Sequence, residues 1–574
     1  MKQYNKLLIS VLLLSTMILF SCNDDNFLSE KAQDFLSSEL AYSDASGVKL
    51  GINGLHDYFR TNSIYGNDAC TLYMNQLTDV CFNGEQPASS QFTYVGMNPT
   101  SSNHRALWQH MYGLIGRANE ILKYVDSSTG WDNDTDKNVC KAEALFFRAF
   151  AYRALASFYG DVPLVTEAVS TPRTEFTRTP VDSVYLQIIA DLQYGIANLP
   201  NPGSEAAPGR ITKGAAQNLL CEVYLATGDY DKAIEAATAV INNYGYKLMT
   251  ERFGSTNDVF GTGDVFLDLF AFGNQNLSEN KEAIWVVQFD ANLADTQKNL
   301  GPRRYGPRYY SLGNDPSGKK AILGEYLNGS YTGYSDTLSR PVSWSRPVYH
   351  VSNGIWSSDW NNDIRNAPHN IKRNFYYQNP NSKWNGKVIN FADYGSYSTN
   401  GRNQQKDTCN YIFPYWIGKV GDPCHVLTDV ARSGGGYTLK DHYEMRLAET
   451  YLSRAEAYLQ KGDREKAAAD INVVRSRAHA KPVAASDVTF DYLLDERSRE
   501  LFTEEWRDLV LRRIDAHKGL PNEERLFYKR VMKYNDDPTD PGLSMKPYNI
   551  LWPIPQTEID ATGGLLIQNP GYSE

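Results

Sequence analysis

Glu222-Val223-Tyr224-Leu225-Ala226-Thr227-Gly228-Asp229-Tyr230-Asp231-Lys232-Ala233 returns later in the chain as Glu456-Ala457-Tyr458-Leu459-Gln460-Lys461-Gly462-Asp463-Arg464-Glu465-Lys466-Ala467. In both copies Glu, Tyr and Leu at helical positions precede Gly-Asp, and Lys-Ala follows at the same offset. Glycine tolerates the left-handed backbone that ends a helix, and the Asp after it can open the next. The spacing predicts two helical hairpins that turn at Gly228 and Gly462 with positive φ. Each has a first helix of small and aromatic residues and an alanine-rich second helix packed on it.

This is the pattern of tetratricopeptide units, which cannot bury their apolar faces alone and must stack. Apolar stripes at helical period supply the neighbours: 103–125, 141–159 (stopped by Gly160-Asp161-Val162-Pro163), 181–199, 213–244 as two helices, 443–478 as two more, and one long helix over 493–515. Residues 246–440 keep no period. Gly, Asn, Ser and Pro punctuate short strand-like runs there, such as Ala283-Ile284-Trp285-Val286-Val287. The expected fold is mainly α: a tetratricopeptide-like scaffold (about 40–245 and 440–520), an irregular loop- and strand-rich ligand-binding subdomain (about 246–440), and an irregular C-terminal segment (521–574).

The first 21 residues read as an address. Lys2 and Lys6 precede an apolar run, Leu7 to Phe20, too short to span a bilayer comfortably, and Leu19-Phe20-Ser21-Cys22 follows. This is a secretory signal, and the cysteine makes it resemble a bacterial lipobox. The cut would fall before Cys22, whose thiol would carry acyl chains that anchor the chain to a membrane. The formal charge, 57 basic against 67 acidic side chains, disfavours nucleic acid as a partner. The remaining cysteines show no zinc spacing. Cys140 and Cys221 read as core residues, while Cys70–Cys81 and Cys409–Cys424 are possible disulfides.

A wider set of residues carries a family resemblance. Trp108, Tyr112, Ile115 and Asn119 precede Ala142-Glu143-Ala144-Leu145-Phe146-Phe147-Arg148-Ala149 and Gly160-Asp161-Val162-Pro163-Leu164. Arg446-Leu447-Ala448-Glu449-Thr450-Tyr451-Leu452 follows, then Glu496-Arg497, Glu500-Leu501, Glu504 and Arg507. Leu551-Trp552-Pro553-Ile554-Pro555 and Gln568-Asn569-Pro570-Gly571-Tyr572 close the chain. In this order, behind a lipobox, the sequence resembles the SusD/RagB family of surface lipoproteins. The resemblance implies a non-catalytic, cofactor-free protein at the outer-membrane surface that captures glycans or peptides. It would lie as a lid on a SusC-like TonB-dependent transporter. Asn23-Asp24-Asp25 resembles the acidic tag that sends such lipoproteins to the cell surface.

The residues with chemical potential each have a plainer reading. Glu496, Glu500, Glu504, Glu505 and Asp508 could hold the two carboxylates of a glycosidase. Interleaved with Arg497 and Arg507 at helical spacing, they fit a structural ion-pair network better. Asp132, Asp134 and Asp136, with Glu143 at the twelfth position, imitate a calcium loop, although Lys137 replaces its glycine. An acidic turn capping a helix is the simpler reading. Gly313 to Lys320 has phosphate-loop spacing without the final Ser/Thr.

The stronger lead is aromatic. Residues 301–400 hold four of the ten Trp and eleven of the 38 Tyr, interleaved with Arg and Asn. Flat rings under the C–H face of a sugar, with planar polar groups at its rim, suit glycan binding. Trp356 and Trp360, in the polar run Ile355-Trp356-Ser357-Ser358-Asp359-Trp360, are the first choices for the platform. Asp363 and Arg365 stand beside them, with Tyr305, Tyr309, Tyr310, Tyr376 and Tyr377 behind. A second loop, containing Tyr65, Asn67 and Asp68, joins the ligand face by family analogy. A peptide binder of the same fold and a surface hydrolase are the alternatives.

Overall fold

The structure, a computed structural model, describes residues 37–64, 74–84, 93–256, 261–290, 298–312, 338–390, 411–423, 436–535 and 544–572, with shorter pieces at 258, 314–315, 317–324, 326–327, 330–331, 398–399 and 402–403. The signal segment, Cys22, Cys70, Cys409 and Cys424 lie outside the described residues.

The scaffold is a run of helices, each packed on the next: α1 (Ala45–Tyr58), α2 (Ser102–Tyr124), α3 (Asp134–Tyr159), α4 (Val181–Asn198), α5 (Lys213–Thr227) and α6 (Tyr230–Asn243). After the irregular block the series resumes with α7 (Leu447–Gln460), α8 (Arg464–Arg477), α9 (Phe490–Leu501) and α10 (Arg507–Arg513). Helix α7 packs directly on α6, so the irregular block is an insertion between two consecutive hairpins.

The repeated stretches form the same turn. Gly228 and Gly462 have φ of 78° and 80°. The Gly228 N–H donates to Leu225 O and the Asp229 N–H to Tyr224 O; Gly462 and Asp463 donate likewise to Leu459 O and Tyr458 O. These paired bonds satisfy carbonyls the helix end leaves open. The equivalent glutamates meet the same cation, since Arg513 lies 3.0 Å from Glu456 and 3.6 Å from Glu222.

Ala283–Val287 (β1) is a strand, as its β-branched run predicts. It pairs antiparallel with His442–Arg446 (β2), closing the insertion at its base. Tyr443–Arg446 is therefore extended, where the sequence reading places helix. The expected helix over 493–515 is also two helices. It breaks between Leu501 and Arg507, where Thr503 takes φ of 74° and the chain turns inward. A periodic stripe does not reveal such a break, because Leu509, Val510 and Leu511 after it are buried too.

The scaffold core gathers Phe59, Phe146, Phe147 and Phe150 around Trp285, with ring centroids 4.9–6.0 Å apart. At the C-terminus, Trp552 packs on Phe158, Tyr159 and His104. The insertion has a core of its own, built from Tyr305, Tyr309, Trp356, Phe375, Tyr377, Tyr415 and Trp416, onto which the scaffold's Phe502 docks. Among the described residues no helix is long and apolar enough to cross a membrane.

Candidate functional site

The charged residues of α9 and the segment after it form the joint between scaffold and insertion. Glu500 accepts from Arg365 (2.9 Å), Arg446 (2.5 Å) and Arg477. Arg446 also reaches Glu282 (2.8 Å) and Glu504 (2.6 Å), and Lys419 bonds Glu504 (2.5 Å). Glu496 meets Arg365, Arg475 and Arg499 at 2.7–2.9 Å. Further out, Asp79 pairs with Arg507 and Arg530. Burial alone would raise these carboxyls, but the guanidiniums outweigh it. Arg365, Arg499 and Arg475 hold Glu496 down at about 2, and Glu500 is pushed well below the ordinary range by Arg477, Arg446 and Arg365. A glycosidase needs one carboxylic acid kept protonated beside substrate. Glu496 and Glu500 are ionised, buried and paired with guanidiniums, which makes their network structural, while burial lifts Asp508 to about 6 against its Arg512 partner.

Asp363 and Arg365 are buried members of this network. Arg365 is fully buried, donating to both Asp363 oxygens (2.8 and 2.7 Å). Trp356 is likewise a core residue, 1% exposed, with its indole N–H donating to Val351 O (2.9 Å). Its polar neighbours disguise a short helical turn that folds the ring inward. Tyr309 is buried, its hydroxyl donating to Ser339 O (2.7 Å), and Tyr305 and Tyr377 are buried too. Tyr65, Asn67 and Asp68 lie outside the described residues.

Three of the expected residues do present surface. Trp360 is 43% exposed, with the Arg373 guanidinium 4.8 Å from its ring centre. Arg373 is itself held by Ser352 O (3.0 Å) and Asn366 (2.6 Å), and Asn366 donates to Trp360 O (2.7 Å). Tyr376 is 43% exposed, 6.0 Å from the Lys372 ammonium. Tyr310 is half-buried, edge-on to Tyr309, with Arg308 and Arg340 each 5.8 Å from its ring.

A second arrangement uses Trp344 and Arg303 of the aromatic block, which the first-choice platform does not include. Val342 N–H donates to Arg303 O (2.8 Å), Ser345 N–H to Arg304 O (2.8 Å) and Ser343 N–H to Gly306 O (3.2 Å), so 303–306 and 342–345 lie side by side. This sets Arg303 over the half-buried Trp344 ring at 5.0 Å. Gln76, from the loop before Cys81, donates to Trp344 O, and Asn75 donates to the Tyr305 hydroxyl (2.7 Å). The sequence signal was charge. Residues 298–312 and 338–346 hold six Lys/Arg and no Asp or Glu, in a chain of net charge −10. Trp344, Tyr310, Trp360 and Tyr376 thus each offer ring surface with a cation beside it, as does the half-buried Trp384, whose ring centre is 4.3 Å from the Lys387 ammonium.

The calcium reading loses its geometry. Asn133 caps α3 by accepting from Asp136 N (2.9 Å), and Asp132, Asp134 and Asp136 pair with Lys49 and Lys137. Glu143 turns into the scaffold, held by Arg210 (2.6 Å) and His56 (2.9 Å). Among the described residues no group of His, Cys, Asp or Glu is placed to hold a metal. Cys81 is a buried free thiol, against the Cys70–Cys81 pairing. Cys140 and Cys221 are buried, as expected.

Two family models match the chain. One, described as the SusD family, matches residues 281–572, and another, described as "Starch-binding associating with outer membrane", matches residues 50–225. The chain belongs to the SusD family. Among similar proteins is SusD-like protein P2 of Formosa agariphila, 26% identical over 588 residues and covering 100% of both chains. Among solved structures, a laminarin-binding SusD-like protein superimposes with a TM-score of 0.62 at 20% identity, covering 92% of this chain and 100% of its own. Surface glycan-binding protein A from Bacteroides thetaiotaomicron, in complex with laminarihexaose, gives 0.63 at 18% identity, covering 92% and 99%.

Proposed function

We propose that this protein is a non-enzymatic, lipid-anchored, cell-surface receptor for oligosaccharides that passes them to a SusC-like TonB-dependent transporter in the outer membrane. The observation that carries the reading is the pairing of exposed or half-buried ring surface with a guanidinium at Trp360–Arg373 and Trp344–Arg303. Such pairs match the two surfaces of a sugar, an apolar C–H face and a hydroxyl rim. Family membership supports it, and so do structural neighbours described as laminarin-binding and as bound to laminarihexaose. Anchoring rests on Leu19-Phe20-Ser21-Cys22, and the transporter partner on the family resemblance. The engaged state of the α9 carboxylates favours binding over hydrolysis.

Calorimetry of the purified chain against a panel of glycans, followed by chromatography of the products, tests the reading. Saturable binding with the glycan recovered intact is expected. Cleaved glycan would make the protein a hydrolase, and binding confined to peptides would move it to the peptide-capturing class.

A further inference from the structure

The helical scaffold contains a cleft of about 880 Å³, remote in sequence from the aromatic insertion and within the ~300–1,000 Å³ typical of ligand sites. One wall is α2; a second is the extended strap 163–176; the third is the C-terminal helix Gln556–Ala561.

Hydrogen bonds fix the first two walls. The Tyr112 hydroxyl donates to Pro163 O (2.7 Å), and Asn119 Nδ2 to Val165 O (2.9 Å) and Glu167 O (3.2 Å). Behind them Tyr152 donates to Val165 O (2.9 Å), and Arg148 to Asn119 Oδ1 (2.9 Å) and Thr166 O (3.0 Å). The cleft is therefore formed before any ligand arrives, which lowers the cost of binding.

Gly116 lies between Tyr112 and Asn119 on the same helix face, since residues four and seven along share it. Glycine inside a helix is destabilising relative to alanine, so its presence calls for a reason. At Gly113 packing explains it, because a Cβ there would strike the Tyr58 hydroxyl. At Gly116 a Cβ would meet nothing within 4 Å. A side chain there would enter open space along a helix that lines the cleft.

The contents match one ligand chemistry. Half-buried rings of Tyr42, Tyr112 and Phe176 line the cleft. Arg117 and Arg173 share the lining with Glu120, Glu167 and Glu558, but Arg173 is paired with Glu175 (2.6 Å) and Arg117 lies over the Tyr58 ring, so the cations are already engaged and the lining offers no cluster for an anion. Rings beside side-chain donors and acceptors suit an uncharged polyhydroxylated ligand. We propose that this cleft is a second saccharide site, holding a few units of a neutral glycan. It rests on the reading that the protein binds glycans, and it would give one polysaccharide chain two grips, raising avidity without tightening either contact.

The test is binding stoichiometry, measured by calorimetry with laminarihexaose, maltohexaose, cellohexaose and xylohexaose. It compares the wild type, Gly116→Leu, a Trp344→Ala/Trp360→Ala variant and the triple variant, each checked for an unchanged melting temperature. Two hexasaccharides per wild-type chain, one for either partial variant and none for the triple variant are expected. One per wild-type chain, lost in the Trp344→Ala/Trp360→Ala variant and untouched by Gly116→Leu, overturns the second site and leaves the glycan reading standing. Two per chain with Gly116→Leu unaffected also overturns it. No hexasaccharide bound by any of the four proteins removes the glycan reading and the second site with it.

Discussion

Replacing Glu500 with Gln should loosen the joint between scaffold and insertion more than almost any other isosteric change. Three guanidiniums converge on this carboxylate, from Arg365 in the insertion, Arg446 at the end of β2 and Arg477 at the end of α8. Its backbone carbonyl accepts from Arg446 (2.7 Å) and Lys419 (2.6 Å), so the chain cannot easily move to compensate. Glutamine keeps the volume but puts an NH2 donor against guanidinium donors and leaves a buried cation surplus. Breaking a buried pair in this way costs about 3–5 kcal/mol, a large share of the ~5–15 kcal/mol that holds a typical domain folded.

The pH dependence has a definite sign. Glu500 is held well below its ordinary 4.5 in the folded state. Its stabilisation is then complete above the unfolded-state pKa and is lost as pH falls through the folded one. Urea denaturation at pH 7 should show a lower midpoint with an unchanged slope, and the gap from wild type should shrink as pH drops below about 4. Glu175→Gln, which breaks only the exposed Arg173 pair, should leave the midpoint in place. A Glu500→Gln loss under about 1 kcal/mol at pH 7, the size of a surface pair, would refute the claim that this network ties the two parts together.

Gly462→Val should cost on the order of 1–3 kcal/mol. A Cβ at Gly462 meets nothing within 4 Å, so strain at φ of 80° is the whole effect, and an unchanged denaturation midpoint would contradict it. Trp356→Ala should lose about 3–5 kcal/mol by emptying a core site while ligand affinity holds in the folded fraction; calorimetry at low temperature separates the two. Glu449 is pushed up to about 8 by burial and by Glu222, with Arg497 opposing. With the folded pKa above the unfolded one, its contribution falls as pH rises from about 4.5 to 8, so Glu449→Gln should melt progressively higher than wild type over that interval. Cys22→Ala should move the protein from the membrane fraction to the soluble one, fold intact, as read by fractionation and circular dichroism.

The scaffold was legible because its signals are local. Gly228 and Gly462 are needed for one backbone conformation, and the alanines and tyrosines around them repeat at helical period. The break at Thr503 was hidden because apolar residues continue on both sides of it. The ligand face was harder to read. Trp356 and Trp360 are alike in sequence, each among Ser, Asp and Asn, yet one is 1% exposed and the other 43%. What separates them is that Trp356 joins the buried cluster that holds Tyr309, Tyr377 and Trp416, assembled by a fold that the local sequence does not encode. Arg365 looked like a sugar ligand because its partners Glu496 and Glu500 lie far along the chain, and Asp363 is held in turn by Arg365. Trp344, one of the four Trp of the aromatic block, ranks behind Trp356 and Trp360 on local sequence although Arg303 and Arg340 stand in segments without acidic residues, a charge signal that favours it.

Glycan titration of the wild type beside Trp360→Ala and Trp344→Ala, at one salt concentration and with melting temperatures in hand, tests the central claim most directly. Truncating an aromatic anchor at a binding hot spot costs about 2 kcal/mol, roughly thirtyfold in affinity. The account predicts at least tenfold weaker binding to the preferred oligosaccharide for one or both variants, with melting unchanged. Wild-type affinity in both, on a glycan that the wild type binds tightly, would contradict it.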